Sequence, residues 1–320
     1  MTVPSDMVAA SVVIAARNAE ATIERTLAAL RAQDREDWEA VVVDDGSTDS
    51  TARLVGRAAE LDSRIRLVSQ SGMGAAGARN RGAAEATGDV LAFTDADCFP
   101  TPGWLSAGVE AMRRAQLVQG AVGPDPAATT GPFDRTLWVD PAVGLYETAN
   151  LFMARAAFER VGGFEEWLHA EGRPMGEDVW LGWRIRRAGA SFAPCPEAVV
   201  HHAVFARSAG EYVAERRRLA QFPAIVDRIP ELRGTLCFGR VFLSRRTAAL
   251  DAAVAGAAAA LVTRSLLPLA AALPYAAGLV RHAARFRSSA PKVAATDLVA
   301  DAVGLVALVR GSVAARTPLL

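Results

Sequence analysis

The sequence predicts an α/β protein, a doubly wound and mostly parallel sheet followed by an apolar helical region. Three observations predict it. Short apolar runs alternate with amphipathic stretches through the first hundred residues, the pattern of βαβ units with right-handed crossovers. The runs are continuously hydrophobic, as in strands buried on both faces. Near residue 240 the composition shifts, and the rest of the chain is apolar and basic.

The elements follow in order. Ser11–Ala15 is a short buried strand. Glu20 to Gln33 places Ile23, Leu27 and Leu30 at helical spacing. Glu39–Val43 is a second strand and ends in Asp44 and Asp45. Ser50 to Leu61 is helical, with Leu54, Ala58 and Leu61 on one face. Ile65–Val68 is a third strand, followed by the Gly-rich stretch Ser71–Gly77 and a helix to about Ala86. Gly88 and Asp89 turn the chain into a fourth strand, Val90–Phe93. Further on, Leu117–Val122, Asn150–Met153 and Ala198–His201 read as strands. Helices run from about Ala156 to the glycine pair at 162 and 163, and from Glu177 to about Ala188, stopping at Gly189. Glu211 to Gln221 reads as a strongly basic helix.

The chain has 320 residues, 51% hydrophobic and 22% charged, enough for one large domain and an appendage. Formal net charge is +0, which gives nucleic acid no general attraction. The zero hides an asymmetry. Residues 1–239 hold 25 basic and 32 acidic side chains, and residues 240–320 hold 10 and 3. A catalytic domain over 1–240 and a helical region over 241–320 are expected. Cys98, Cys195 and Cys237 form no disulfide framework or zinc spacing, so a reducing compartment is expected. The first residues lack the basic start and apolar run of a signal peptide.

Ligands of a doubly wound sheet bind at the carboxyl ends of its strands. Asp44 and Asp45 follow the second strand, and Asp95 and Asp97 follow the fourth as Asp-x-Asp. Glu177 and Asp178 open a later helix. Clustered carboxylates need a cation or a proton to offset their repulsion. Asp-x-Asp suits Mn²⁺ or Mg²⁺ that also holds phosphate oxygens.

Six segments, in order, carry a resemblance. They are Val12-Val-Ile-Ala-Ala-Arg-Asn18, Val43-Asp-Asp-Gly-Ser-Thr-Asp49, Gly77-Ala-Arg-Asn-Arg-Gly82, Phe93-Thr-Asp-Ala-Asp97, Val161-Gly-Gly-Phe-Glu165 and Gly176-Glu-Asp-Val-Trp-Leu-Gly-Trp-Arg184. Over about residues 9–205 the chain resembles the inverting, family 2 glycosyltransferases of bacteria, with their GT-A, Rossmann-like fold. Ala16 stands where that family usually has Pro, at a position that supplies backbone shape.

The resemblance implies a metal-dependent enzyme moving a sugar from a nucleotide-diphosphate donor, UDP-sugar favoured, to an acceptor hydroxyl. It places Ala16, Asn18, Asp45, Arg79 and Asp95 on the donor, with Asp45 at the base or ribose, Arg79 near base or diphosphate, and Asp95 at the ribose. Asp97 would hold Mn²⁺ or Mg²⁺. His201 or His202 would approach the metal, and His201 is the candidate taken. Asp178 would be the catalytic base, with Glu177 orienting it or supporting the acceptor. Cys98 reads as buried and inert, and Trp180 and Trp183 as core.

Other classes remain to be weighed. A nicotinamide-dependent dehydrogenase needs Gly-x-Gly-x-x-Gly after the first strand, where this chain has no glycine. Gly72-Met-Gly-Ala-Ala-Gly77 matches that pattern but follows the third strand. Nucleotidyl transfer also uses paired carboxylates and metal. A non-catalytic scaffold on this fold is a third possibility, although none of Asp95, Asp97 and Asp178 is missing.

Residues 252–280 are almost wholly apolar but are broken by Arg264, Pro268 and Pro274. The uncharged stretches fall short of the roughly 20 residues a spanning helix needs, so spanning and surface attachment both stay open. The expected setting is the cytoplasmic face of a bacterial membrane, with a lipid-linked or envelope glycan as acceptor and no nucleic-acid partner.

Overall fold

The computed structural model describes residues 8–140, 143–170 and 173–320. The chain divides into two compact units. The first holds the described residues up to Thr129 together with Thr136–Val204. The second holds Thr130–Arg135 and Phe205–Leu320.

The first unit runs β1 (Ala10–Ala16), α1 (Ile23–Arg31), β2 (Trp38–Asp45), α2 (Thr51–Leu61), β3 (Ile65–Gln70), α3 (Gly74–Glu85), β4 (Val90–Phe93), β5 (Cys98–Pro100), α4 (Trp104–Met112) and β6 (Leu117–Pro124). It continues with β7 (Leu151–Ala154), α5 (Arg155–Arg160), β8 (His169–Ala170), β9 (Arg173–Pro174), α6 (Glu177–Arg187) and β10 (Phe192–His202). Eight strands form one sheet in the order β3-β2-β1-β4-β7-β6-β10-β5. The β3-β2-β1-β4 half is parallel, as the alternating sequence predicts. The other half is mixed, because β7 pairs antiparallel with both β4 and β6, and β5 antiparallel with β10.

Burial explains the apolar runs. Every residue of β2 is buried, and so are Val12, Val13 and Ile14 of β1. Ile23, Leu27 and Leu30 pack from α1 into the same core, with Trp38 and Trp104. Gly82 lets α3 lie close on the sheet, since an added Cβ would meet Val13 Cγ1 at 2.5 Å.

The second unit is helical: α7 (Ala209–Glu215), α8 (Phe222–Arg228), α9 (Leu232–Thr235), α10 (Arg245–Thr263), α11 (Leu273–Ala284) and α12 (Ala290–Ala315). The expected helix over 211–221 is α7 followed by a 3₁₀ turn over Arg216–Gln221. Residues 205–240, expected with the catalytic domain, belong to this unit, where Tyr212 packs with Phe133, Ala283 and Val293. Two helical segments, Arg245–Thr263 and Arg287–Ala315, are long and apolar enough to cross a membrane. Only 6% and 28% of their most apolar windows are covered by protein, so lipid or another chain could face them.

Candidate active site

Strand ends of the first unit carry the predicted residues. Ala16 closes β1 and is buried. Asn18 follows in the left-handed region at φ 51. Its amide N–H donates to Ser47 Oγ at 2.9 Å, and its Oδ1 accepts from Thr48 N at 2.8 Å. Asn18 therefore ties the end of β1 to the turn after β2.

Asp45, at the end of β2, is buried. Its Oδ1 accepts from Gln70 Nε2 and Met73 N, both at 2.8 Å, and its Oδ2 accepts from Gly74 N at 2.9 Å. The carboxylate thus anchors the Gly-rich loop and the first turn of α3, whose free N–H groups favour an anion. Neighbouring Asp44 accepts from Ser47 N through Oδ2, while its buried Oδ1 has no hydrogen-bond partner. The sequence reading put Asp44 in the acidic cluster and gave it no role.

Arg79 is the hub of the acidic edge. It projects from α3, buried, with Nη2 2.9 Å from Asp95 Oδ1 and Nη1 3.4 Å from Glu177 Oε1. Burial opposes its charge, but Asp95, Glu177 and the more distant Asp178 outweigh that, and its pKa is raised. One guanidinium thereby joins the end of β4 to the start of α6.

Asp178 sits beside Glu177 in the first turn of α6, and its Oδ1 accepts from Val179 N at 2.8 Å. Burial first, then Glu177 and Glu147, push its carboxyl well above the usual range, against the pull of Arg79. Gly176 caps this helix at φ 77, a conformation that suits glycine.

Glu147 was not anticipated from the sequence. Burial, with a smaller push from Asp140, raises its carboxyl to about 7, and its Oε2 has no hydrogen-bond partner among the described residues. It reaches the electrostatic surroundings of Asp178 because Tyr146 packs under α6, where an added Cβ on Gly182 would meet the Tyr146 ring at 2.1 Å. Residue 147 lies between two recognisable segments, and no local pattern marks it.

The remaining pair is Asp97 and a histidine. The structure puts His202, not His201, beside Asp97, with Nε2 3.5 Å from Oδ2. Adjacent strand residues face opposite ways, and β10 aligns His202 with Cys98 but His201 with Phe99. His201 instead lends positive potential to Asp125. His202 Nδ1 donates to the Ala203 carbonyl at 2.6 Å. That bond holds the ring with Nε2 turned toward Asp97, the orientation in which a second-shell carbonyl presents a histidine to a metal. Asp97, Cys98 and His202 each bring a ligand atom within 4.8 Å of the others. Burial, Asp95 and Asp97 push the Cys98 thiol well up, and a soft thiol suits a hard cation less well than oxygen or imidazole. The carboxylate of Asp97 and the imidazole of His202 form a donor set that fits Mn²⁺ well and Mg²⁺ less well.

The other segments of the resemblance act as clamps. Asn80 Oδ1 accepts from Phe164 N at 2.8 Å, and its Nδ2 donates to Phe164 O at 2.9 Å. Arg184 donates to the carbonyls of Val161 and Gly163. Trp183 is buried and donates to Gly144 O, a core role as expected.

The family described as Glycosyl transferase family 2 matches residues 11–159. Among curated proteins, the chain is 30% identical over 208 residues to a pre-mycofactocin glycosyltransferase of Mycobacterium tuberculosis, covering 60% of this chain and 42% of the relative. It is 32% identical over 222 residues to a validoxylamine A glucosyltransferase of Streptomyces hygroscopicus subsp. limoneus, covering 56% and 48%. The chain thus spans less than half the length of these two relatives. Among solved structures, it is similar to the mannosyltransferase PcManGT from Pyrobaculum calidifontis in complex with GDP-Man and Mn²⁺. That match has TM-score 0.62 and 25% identity, and covers 94% of this chain and 88% of the other. The fold is therefore of the GT-A glycosyltransferase type.

Proposed function

We propose that this chain, whose residues 11–159 carry the glycosyl transferase family 2 domain, is a metal-dependent, inverting glycosyltransferase. It moves a sugar from a nucleotide-diphosphate donor to an acceptor hydroxyl. The observation that carries this reading is the convergence, within one unit, of the Asp97–His202 pair with Arg79, Asp95 and Glu177.

Asp97 and His202 would hold a divalent cation, Mn²⁺ or Mg²⁺, which would neutralise charge on the leaving diphosphate. Asp45 sets the loop that meets the nucleoside, and the buried, unpartnered Asp44 Oδ1 offers an acceptor for a donor N–H or hydroxyl. Ala16 and Asn18 shape the floor of that subsite through the β1 end and its turn. Asp95 accepts from the ribose. Arg79 offers its guanidinium to the diphosphate and keeps the carboxylate cluster from repelling itself. Asp178 takes the acceptor proton, and a raised pKa brings a base closer to working pH. Glu177, bonded to Arg79, orients that turn of α6. A single base opposite the leaving group gives one displacement with inversion, with no carboxylate nucleophile.

The acceptor hydroxyl is on a lipid-linked or envelope glycan, and the enzyme works at the cytoplasmic face of a bacterial membrane. Exposed apolar side chains of the helical unit support this, among them Leu261, Val262, Leu266 and Leu267. The sequence favours a UDP-sugar, and the similar mannosyltransferase structure holds GDP-Man, so both nucleotides belong in the test. The full chain is incubated with a panel of nucleotide sugars, with and without Mn²⁺. Metal-dependent release of nucleoside diphosphate supports sugar transfer. Pyrophosphate release from a nucleoside triphosphate and a sugar phosphate would establish nucleotidyl transfer instead. Nucleotide binding without turnover of any donor would make the chain a scaffold.

A further inference from the structure

We propose that the basic end of the α10–α11 pair is a binding site for the phosphate of an anionic phospholipid, held by Arg245, Arg246 and Arg281. The inference rests on the membrane reading above and goes beyond it by naming a headgroup site.

A cavity of about 310 Å³ opens between the first turns of α10 and residues 274–281 of α11. Arg245, Arg246, Tyr275 and Arg281 line it, over Pro274 and Leu279. Arg245 and Arg281 are exposed, and neither has an ion pair among the described residues. Arg245 is braced by its position over the Phe238 ring, 5.6 Å from the centroid.

Arg246 is fixed from behind. Its Nη2 lies 2.7 Å from Asp301 and 3.2 Å from Asp297. Asp297 is fully buried and also accepts from Tyr212 Oη at 3.0 Å, with His282 Nδ1 at 2.7 Å. Tyr275 Oη donates to Asp301 at 2.7 Å. Buried ion pairs of this kind hold their partners in one geometry. Arg246 is therefore a preset wall, and Arg245 and Arg281 supply the charge that a ligand must complete.

The polarity of the two helices selects a lipid over a free anion. α10 has 19 residues, about 28 Å of helix against a hydrocarbon layer of about 30 Å. The arginines stand at one end. At the other, Leu261, Val262, Leu266 and Leu267 are all more than 80% exposed. Arg264 ends α10 in the left-handed region at φ 52, where a helix of that length reaches the opposite headgroup layer. Residues 267–284 then return as a 3₁₀ turn and α11. Apolar length bounded by basic ends matches a bilayer, and guanidinium forks match phosphate oxygens.

The test titrates the full chain, held in a neutral detergent, with short-chain phosphatidylglycerol, short-chain phosphatidylcholine or inorganic phosphate. Binding is read by calorimetry. At about 1 kcal/mol for each basic residue near anionic lipid, the Arg245→Gln/Arg281→Gln variant should bind phosphatidylglycerol about 30-fold more weakly. The Arg114→Gln/Arg160→Gln control, equal in charge loss, should match the parent. The proposal is overturned if the first variant keeps its affinity, or if phosphatidylcholine or inorganic phosphate binds as tightly as phosphatidylglycerol. A parent that stays dispersed and monomeric without detergent would instead sink the membrane reading itself.

Discussion

Glu147→Gln separates the charge of the Glu147 carboxylate from its shape. Burial, helped by Asp140, raises the Glu147 carboxyl from 4.5 to about 7. An acid whose pKa is higher in the folded chain holds an extra proton there, so stability falls as pH rises. The full contribution is present below 4.5, is lost between 4.5 and about 7, and changes no further above that. The slope in that window is about 1.4 kcal/mol per pH unit, or about 3 kcal/mol in all. Gln keeps the shape and does not titrate, so the variant's stability relative to the parent should climb across the same window. Denaturant unfolding at a series of pH values, read by tryptophan fluorescence, measures the difference. Gln also removes a like charge that raises Asp178, so the acid limb of kcat/KM should move to lower pH. Parallel stability curves for the two proteins, or an acid limb that stays in place, would refute the reasoning.

Asp178→Asn should cost about 10²–10⁴-fold in turnover with donor affinity unchanged, measured by nucleoside diphosphate release and calorimetry. Asp97→Ala and His202→Ala should each abolish the Mn²⁺ dependence of nucleotide affinity, while His201→Ala should leave it intact; equal effects of the two histidines would remove His202 from the metal. Arg79→Met leaves Asp95 and Glu177 without their cation and should destabilise the chain by about 3 kcal/mol in denaturant unfolding, since breaking a buried pair strands its partner. Washing membranes with high salt should leave the full chain bound and detergent should release it; release by salt alone would mean surface attachment.

The parallel half of the sheet is legible because Val12–Ile14 and Ala40–Val43 are buried on both faces and read as unbroken apolar runs. Only the second half of β10 is, over Ala198–His201, because the first half carries Pro194 and Pro196 and a register shift falls between Cys195 and Val199. Proline removes a ladder donor, so a strand pattern there goes unseen. β5 is too short, at three residues ending in Pro100, to show a period. In the helical unit, α12 carries Asp297 and Asp301 within an otherwise apolar helix. They are tolerated because Arg246, His282 and Tyr275 meet them inside the unit. The choice between His201 and His202 was invisible for a different reason. It depends on which face of β10 turns toward β5, and a pair of adjacent histidines carries no phase.

The segments that carry the family resemblance divide by what their residues touch. Asn80 and Arg184 bond the Gly162–Phe164 turn, and Gly163 leaves only 2.5 Å for a Cβ before Asn80 Oδ1. These residues would be required in any chain that seats α6 on α3 this way, whatever it catalyses. Arg79, one residue before Asn80, turns the other way and spends its charge on Asp95 and Glu177. A single helical turn of α3 thus fixes the loop through Asn80 and the charge balance through Arg79. The two functions are coupled in space because α6 begins only after the clamped turn has placed Glu177 and Asp178. The distance between Asp178 and the Asp95–Asp97 edge is therefore set by backbone bonds far from the reacting groups. That explains why short segments separated by about eighty residues in the chain still specify one site.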